Sequence, residues 1–171
     1  MGSKERRESI EKLLIESNVP QKGIDLANNF NVTRQVIVRD IAILRAQGLN
    51  IIATPEGYII PNMYVNQVRK LIALAHSRAE IESELKSIVK FGGIIEDVIV
   101  EHPLYGEIKA MLMIKTYDDI SNFINKFKQS NAEPLSSLTG GVHIHTVSAE
   151  NNEVMEKILH ELRIKGFLVS D

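Results

Sequence analysis

The feature that most restricts the fold is a change of rhythm close to the N-terminus, where three short runs of helical periodicity give way to two alternating segments around a Pro-containing turn. In residues 4–17, Ile10, Leu13 and Leu14 carry the spacing of a helix with one buried stripe, and Asn18, Val19 and Pro20 stop it. A second short helix sets Ile24, Leu26, Ala27 and Phe30 among polar residues and ends in the Asn28-Asn29 and Asn31 cluster. Thr33 is a good N-cap for a third helix, which runs from Arg34 through Arg45 until Gly48 ends it. Ile51-Ile52-Ala53, a Thr54-Pro55-Glu56-Gly57 turn and Tyr58-Ile59-Ile60 then predict a β-hairpin with a type I turn at its tip. Three helices and a hairpin in this order predict a winged helix-turn-helix domain over residues 1–61, with its boundary at Pro61-Asn62.

Residues 62–171 follow a different plan. Val68 to His76 alternates as a strand, with Leu71, Ala73 and Ala75 on one face and Ile72, Leu74 and His76 on the other. Ala and Leu there suit a helix equally, but Ser77-Arg78-Ala79-Glu80 has the form of a capping box, which starts a new helix at residue 78 and releases the preceding segment. That helix ends at Gly92-Gly93. Strands over Ile94–Glu101 and Glu107–Ile114 flank a tight His102-to-Gly106 connection, and a helix from Asp118 to Gln129 carries Ile120, Phe123, Ile124 and Phe127. After a polar loop, Val142–Ser148 reads as a strand, Asn151–Lys165 as a helix and Phe167–Val169 as a short last strand. The order β-α-β-β-α-β with an appended helix and strand predicts a ferredoxin-like α/β sandwich, so the whole chain is α+β in class.

The third helix is suited to reading duplex DNA. The major groove distinguishes base pairs by donor and acceptor pattern, and an α-helix fits it. Arg34, Gln35 and Arg39 lie near one another on its first turns; Arg pairs in bidentate fashion with guanine, Gln with adenine, and Thr33 and the wing residue Thr54 can bond phosphate. A net charge of −2 is no objection, since DNA-binding regulators can confine positive charge to one element.

A second kind of chemistry is written in Gly140-Gly141-Val142-His143-Ile144-His145-Thr146. Residues i and i+2 of a strand share a face, so His143 and His145 project together as two arms of a metal clamp. Cysteine is absent, so any metal is held by His, Asp or Glu. His76 ends the first strand of the second domain, and Glu84 lies about two turns into the following helix with its side chain leaning back toward that strand end. Three imidazoles and a carboxylate suit zinc, nickel, iron or manganese. His102, before Pro103 in the hairpin, is a candidate ligand-binding residue, and His160 reads as an exposed helix residue. Metal-assisted hydrolysis uses similar ligands, but the chain shows no Gly-rich phosphate loop and no nucleophile with a base. No apolar stretch nears the roughly 20 residues of a membrane span, and the N-terminus lacks a signal peptide's apolar core, which predicts a cytoplasmic protein with no membrane partner.

Three segments carry a resemblance: Thr33 through Ile41, Ile99-Val100-Glu101-His102-Pro103-Leu104-Tyr105-Gly106-Glu107, and Gly140 through Thr146. Over nearly its whole length the chain resembles the nicotinic-acid-responsive transcriptional repressors of bacterial NAD biosynthesis, which join a winged helix to a three-histidine (3H) domain. The resemblance implies a homodimer that binds operator DNA when nicotinate is present, with no catalytic residues, and a divalent metal at the positions matching His76, Glu84, His143 and His145. His102 and Tyr105 are further expected contacts to the effector. The alternatives are a regulator of the same architecture that senses another small carboxylate or the metal itself, and a metal-dependent hydrolase with an accessory winged helix.

Overall fold

A computed structural model describes residues 1–61 and 67–169. They fall in two compact units, Met1–Met63 and Tyr64–Asp171. Of the boundary predicted at Pro61-Asn62, Asn62 lies outside the described residues.

The first unit consists of α1 (Ser3–Glu16), α2 (Gly23–Asn29), α3 (Arg34–Ala46) and a hairpin of β1 (Ile52–Thr54) and β2 (Gly57–Ile59). Its core gathers Ile10 and Leu14 of α1, Leu26 and Ala27 of α2, Ile37, Ile41 and Leu44 of α3, and Ile51 before the hairpin. Each large side chain among them contributes about 1.5–3 kcal/mol through burial. Thr33 caps α3 by accepting from the Val36 amide at 3.4 Å. Its second strand is held from both sides, by β1 and by Gln21. Tyr58 exchanges two backbone hydrogen bonds with Gln21, at 2.8 and 2.9 Å, and Gly57 takes φ +137° with no room for a Cβ, which would stand 2.4 Å from the Gln21 carbonyl oxygen. Asp40, on the inner side of α3, is buried and takes Arg6 Nε at 2.6 Å and Arg7 Nη1 at 3.4 Å, so a carboxylate locks the third helix to the first.

The second unit runs β3 (Val68–Ala75), a 3-10 turn (Arg78–Glu80) leading into α4 (Ile81–Val89), β4 (Ile94–His102), β5 (Gly106–Ile114), α5 (Tyr117–Ser130), a second 3-10 turn (Leu135–Thr139), β6 (Val142–Ala149) and α6 (Asn152–Ile164). All pairings are antiparallel, in the order β3-β6-β4-β5. The helices cover one face. Ile72, Leu74, Ile95, Leu112, Ile114, Val147 and Ala149 of the sheet meet Leu85 and Ile88 of α4, Ile120 and Ile124 of α5, and Met155, Ile158 and Leu162 of α6. Likeness to a ferredoxin-like sandwich lies in element order and layering. That arrangement centres the first and third strands of its repeat, whereas here the second and fourth, β4 and β6, are central.

Local chemistry places the joints. The Glu80 carboxylate accepts from the Ser77 amide at 2.9 Å and from its hydroxyl at 2.7 Å, ending β3 sharply before α4. Thr116 caps α5 and Asn151 caps α6 through the Asp119 and Val154 amides, at 3.1 and 2.9 Å. Two segments differ from the sequence reading. Within the expected loop of residues 130–139, Pro134 opens a 3-10 turn that packs against β4, with the Ser137 hydroxyl donating to the Pro134 carbonyl at 2.7 Å. At the C-terminus, Phe167–Val169 makes a single bridge, Leu168 to Leu74, flanked by Ala75 N to Phe167 O at 2.9 Å and Val169 N to Ala73 O at 3.1 Å.

Candidate functional site

His143 and His145 stand on the helix-covered face of β6, paired in register with Leu74 and Ile72 of β3. Ala75, the last residue of β3, pairs with Val142, so His76 emerges beside the Gly140-Gly141 turn that precedes β6. The approach is close: Gly141 has φ +98°, and a Cβ there would lie 2.7 Å from the His76 carbonyl oxygen. Only glycine fits such a contact in that conformation. The first turns of α4 then bring Glu84 over the same patch, its residue 1% exposed.

Glu84 is the hub. Its Oε2 lies 2.7 Å from His76 Nε2 and 3.7 Å from His143 Nε2, and its Oε1 lies 2.9 Å from His145 Nε2. The four side chains are at most 4% exposed. The ring protons are fixed by the opposite nitrogens. Nδ1 of His76 donates to the Ser77 carbonyl at 2.9 Å, that of His143 to the Gly141 carbonyl at 2.9 Å and that of His145 to the Asp97 carbonyl at 2.5 Å. A carbonyl can only accept, so each Nδ1 carries a hydrogen. Each Nε2 is therefore a lone pair unless a second proton makes the ring a cation.

Three lone pairs converging on a buried carboxylate repel it, so the cluster requires positive charge. The pKa directions express this need. Burial opposes the charge on His76 and His145, but the Glu84 carboxylate outweighs it and both sit above the ordinary 6.5. Burial likewise opposes ionisation of Glu84, and the charge of His145 with the contacts of His143 and His76 outweighs it, holding that carboxyl well below 4.5. Glu84 Oε1 is off line for a hydrogen bond from His145 despite the short separation, and is left without one.

A divalent ion fits these residues. His76, Glu84 and His143 offer donor atoms within 4.8 Å of one another; His145 stands outside that group, with its Nε2 2.9 Å from Glu84 Oε1. Tetrahedral donors about 2.1 Å from a metal stand about 3.4 Å apart, inside the span of the distances to Glu84. Imidazoles whose far nitrogens donate to backbone carbonyls have the fixed ring orientation common to metal ligands.

One residue of the site escaped sequence reasoning. Asp97, fully buried in β4, sits where the pairings of β4 with both β5 and β6 slip register, and Met113 across the β5 slip adopts φ +52°. Its backbone carbonyl orients His145, its Oδ1 accepts from the Thr146 amide at 2.9 Å and its Oδ2 lies 2.9 Å from Lys109 Nζ. The bulge thus aims a carbonyl at the histidine, and the side chain replaces a missing ladder bond. A pair of carboxylates, Glu96 and Asp97, inside the otherwise apolar run Ile94 to Val100 was the available signal: strand alternation turns one of the two inward.

His102 and Tyr105 lie at the exposed tip of the β4–β5 hairpin. His102 Nδ1 accepts from the Leu104 and Tyr105 amides at 3.1 and 3.2 Å, and its ring leans on Tyr105. Its contacts are those of a turn. His160 is exposed on α6.

In the first unit, Arg34, Gln35 and Arg39 are exposed on α3, away from buried Ile37, Asp40, Ile41 and Leu44. Arg34 also borders a groove of about 280 Å³ lined by Lys22, Gly23 and the hairpin residues Thr54 and Tyr58. Thr33 is exposed at the helix start. The Thr54 hydroxyl donates to the Gly57 carbonyl at 3.0 Å and accepts from the Glu56 amide at 3.2 Å, which makes it a builder of the hairpin tip.

Comparison with known proteins agrees with both units. Residues 6–59 match the HTH domain family and residues 69–171 match the 3H domain family. The protein is a helix-turn-helix protein with a C-terminal 3H domain. It is 45% identical over 167 residues to the probable transcription repressor NiaR of Thermotoga maritima, covering 98% of this chain and 95% of that one. It is 38% identical over 169 residues to the transcription repressor NadR of Bacillus subtilis, covering 97% and 94%. The chain belongs to the NiaR/NadR-type family of transcription repressors, and its relatives are regulators of transcription and not enzymes. Among the described residues, no helix is long and apolar enough to cross a membrane.

Proposed function

We propose that this repressor is a homodimer working in the cytoplasm, that its co-repressor is nicotinate, that it controls genes of NAD biosynthesis or niacin uptake, and that His76, Glu84, His143 and His145 hold a divalent transition metal in its regulatory domain. The supporting observation is the buried cluster itself, in which three rings with fixed Nδ1 protons turn their Nε2 atoms on one carboxylate. The metal would supply an open coordination position for the pyridine nitrogen or carboxylate of the effector. His102, half-buried, and Tyr105, exposed, at the hairpin tip are the second candidates for effector contacts. In this reading residues 1–61 form the DNA-binding domain and residues 62–171 the regulatory one. Arg34, Gln35 and Arg39 face base edges, while Thr33 and Thr54 lie along the phosphates. Two recognition helices set one DNA turn apart, roughly 34 Å, read the operator, and nicotinate favours the dimer geometry that achieves this spacing.

The decisive measurement is operator binding by purified protein, titrated with nicotinate and with other small carboxylates, before and after chelation, alongside metal analysis. Nicotinate should tighten binding selectively, and chelation should remove the effect. Metal-dependent but nicotinate-indifferent binding would make the metal the signal and refute nicotinate as co-repressor. An effect that survives complete metal removal would refute the coordination role.

A further inference from the structure

The outward side of α3 carries one residue that the DNA reading so far leaves unused. Val38 is 46% exposed, and among the described residues no other large apolar side chain of α3 is exposed. It belongs to neither hydrophobic core. A β-branched side chain left in water in mid-helix serves neither helix propensity nor burial. Its neighbours give it a context that a solitary surface valine lacks. At about 100° per residue, Gln35, Val38 and Ala42 lie within about 60° of one another, with Arg34 and Arg39 on either side. All five are exposed, and the opposite side, Ile37, Ile41 and Leu44, is buried. The arrangement is an apolar strip of Val38 and Ala42 between hydrogen-bonding side chains.

In the major groove a single apolar feature distinguishes a base, the 5-methyl group of thymine. We propose that Val38 is the specificity-determining residue of α3 for thymine, its methyl groups packing on that 5-methyl group between the bases that Gln35 and Arg39 contact. This rests on α3 being the recognition helix.

The full-length protein, with zinc and nicotinate present, is used to select from a pool of randomised DNA duplexes. The enriched duplex is then remade with deoxyuridine in place of each thymine in turn, which deletes only the methyl group. At one position or more the replacement should weaken wild-type binding about fourfold, the worth of one buried methyl-sized group. Val38→Ser should bind the thymine duplex about as weakly as wild type binds the uridine one, and be indifferent to the replacement. Val38→Thr, which keeps one methyl, should retain part of the preference. The proposal is overturned if no thymine is sensitive, or if Val38→Ser shows the same sensitivity as wild type. If selection enriches a duplex whose binding Arg34→Ala and Arg39→Ala abolish while uridine changes nothing, only the role of Val38 is lost. If no duplex is enriched, or those arginines prove irrelevant, the recognition-helix reading falls and this inference with it.

Discussion

The two units place their functional groups in opposite environments. In the first, Arg34, Gln35 and Arg39 stand in water on a helix whose packing is done by other residues. In the second, His76, Glu84, His143 and His145 are withdrawn from water and bound into the same face as the core. An exposed charge costs little to maintain and can be exchanged without disturbing the fold, whereas a buried charge must be balanced where it stands. The lesson is that the proposed recognition surface and the proposed sensing site differ in their coupling to stability. Altering the reading surface should change binding alone, and altering the buried cluster should change the folded state itself.

The largest effect is expected from Glu84→Ala, which leaves the buried imidazoles without their counter-charge. A loss of about 3–5 kcal/mol in urea denaturation is expected, with loss of bound metal. An unchanged denaturation midpoint would erase the contrast between the units. Metal removal comes next. At free metal a hundredfold above its Kd, binding to the folded state alone adds about 2.7 kcal/mol, so chelation should lower the thermal midpoint reversibly. Zinc and nickel should each restore it, and a chelated protein as stable as the loaded one would argue against the site.

A subtler effect is the pH dependence of the chelated protein. His76 and His145 have raised folded-state pKa values, so their contribution is complete below 6.5 and is lost as pH rises through those raised values. Glu84 is depressed, so its contribution is present above 4.5 and is lost as pH falls through its lowered value. The chelated protein should therefore weaken on going from about pH 6 to about pH 8, while metal affinity rises over the same interval because metal displaces the protons. Stability that is flat or rising across that interval would contradict the charge balance described for the cluster. The smallest effect on folding is expected from Arg34→Ala combined with Arg39→Ala. Stability should stay within about 0.5 kcal/mol, while each lost base contact costs about 1–3 kcal/mol of discrimination in a binding assay at fixed salt. A destabilised double variant would show that the reading surface is also part of the core.

Sequence patterns revealed what depends on near neighbours. The three helices, the Thr33 cap and the hairpin of the first unit follow from spacing within a few residues. So does the shared face of His143 and His145, since strand alternation settles it, and the Ser77–Glu80 pairing separated His76 from α4. Features that depend on distant strands were less visible. The order β3-β6-β4-β5 arises from the pairing of β6 with β3 and β4, far from it in the chain, and the register slips around Asp97 show in the sequence only as Glu96 and Asp97 side by side among isoleucines and valines. The 3-10 turn at Leu135–Thr139 was masked by serines and threonine that read as loop.

Gly141 has a consequence for how such a chain can diverge. The His76 carbonyl stands where a side chain at this position would begin, and the Gly141 carbonyl aligns the His143 ring. Any replacement must move the end of β3 or the start of β6, and with either it moves a histidine. The glycine and the histidine cluster are therefore one heritable unit. A lineage that abandoned the buried site while keeping its helix-turn-helix would be released from the glycine at the same step, so a bulky residue at this single position in a related chain should mark the loss of the cluster's geometry before the histidines themselves have disappeared.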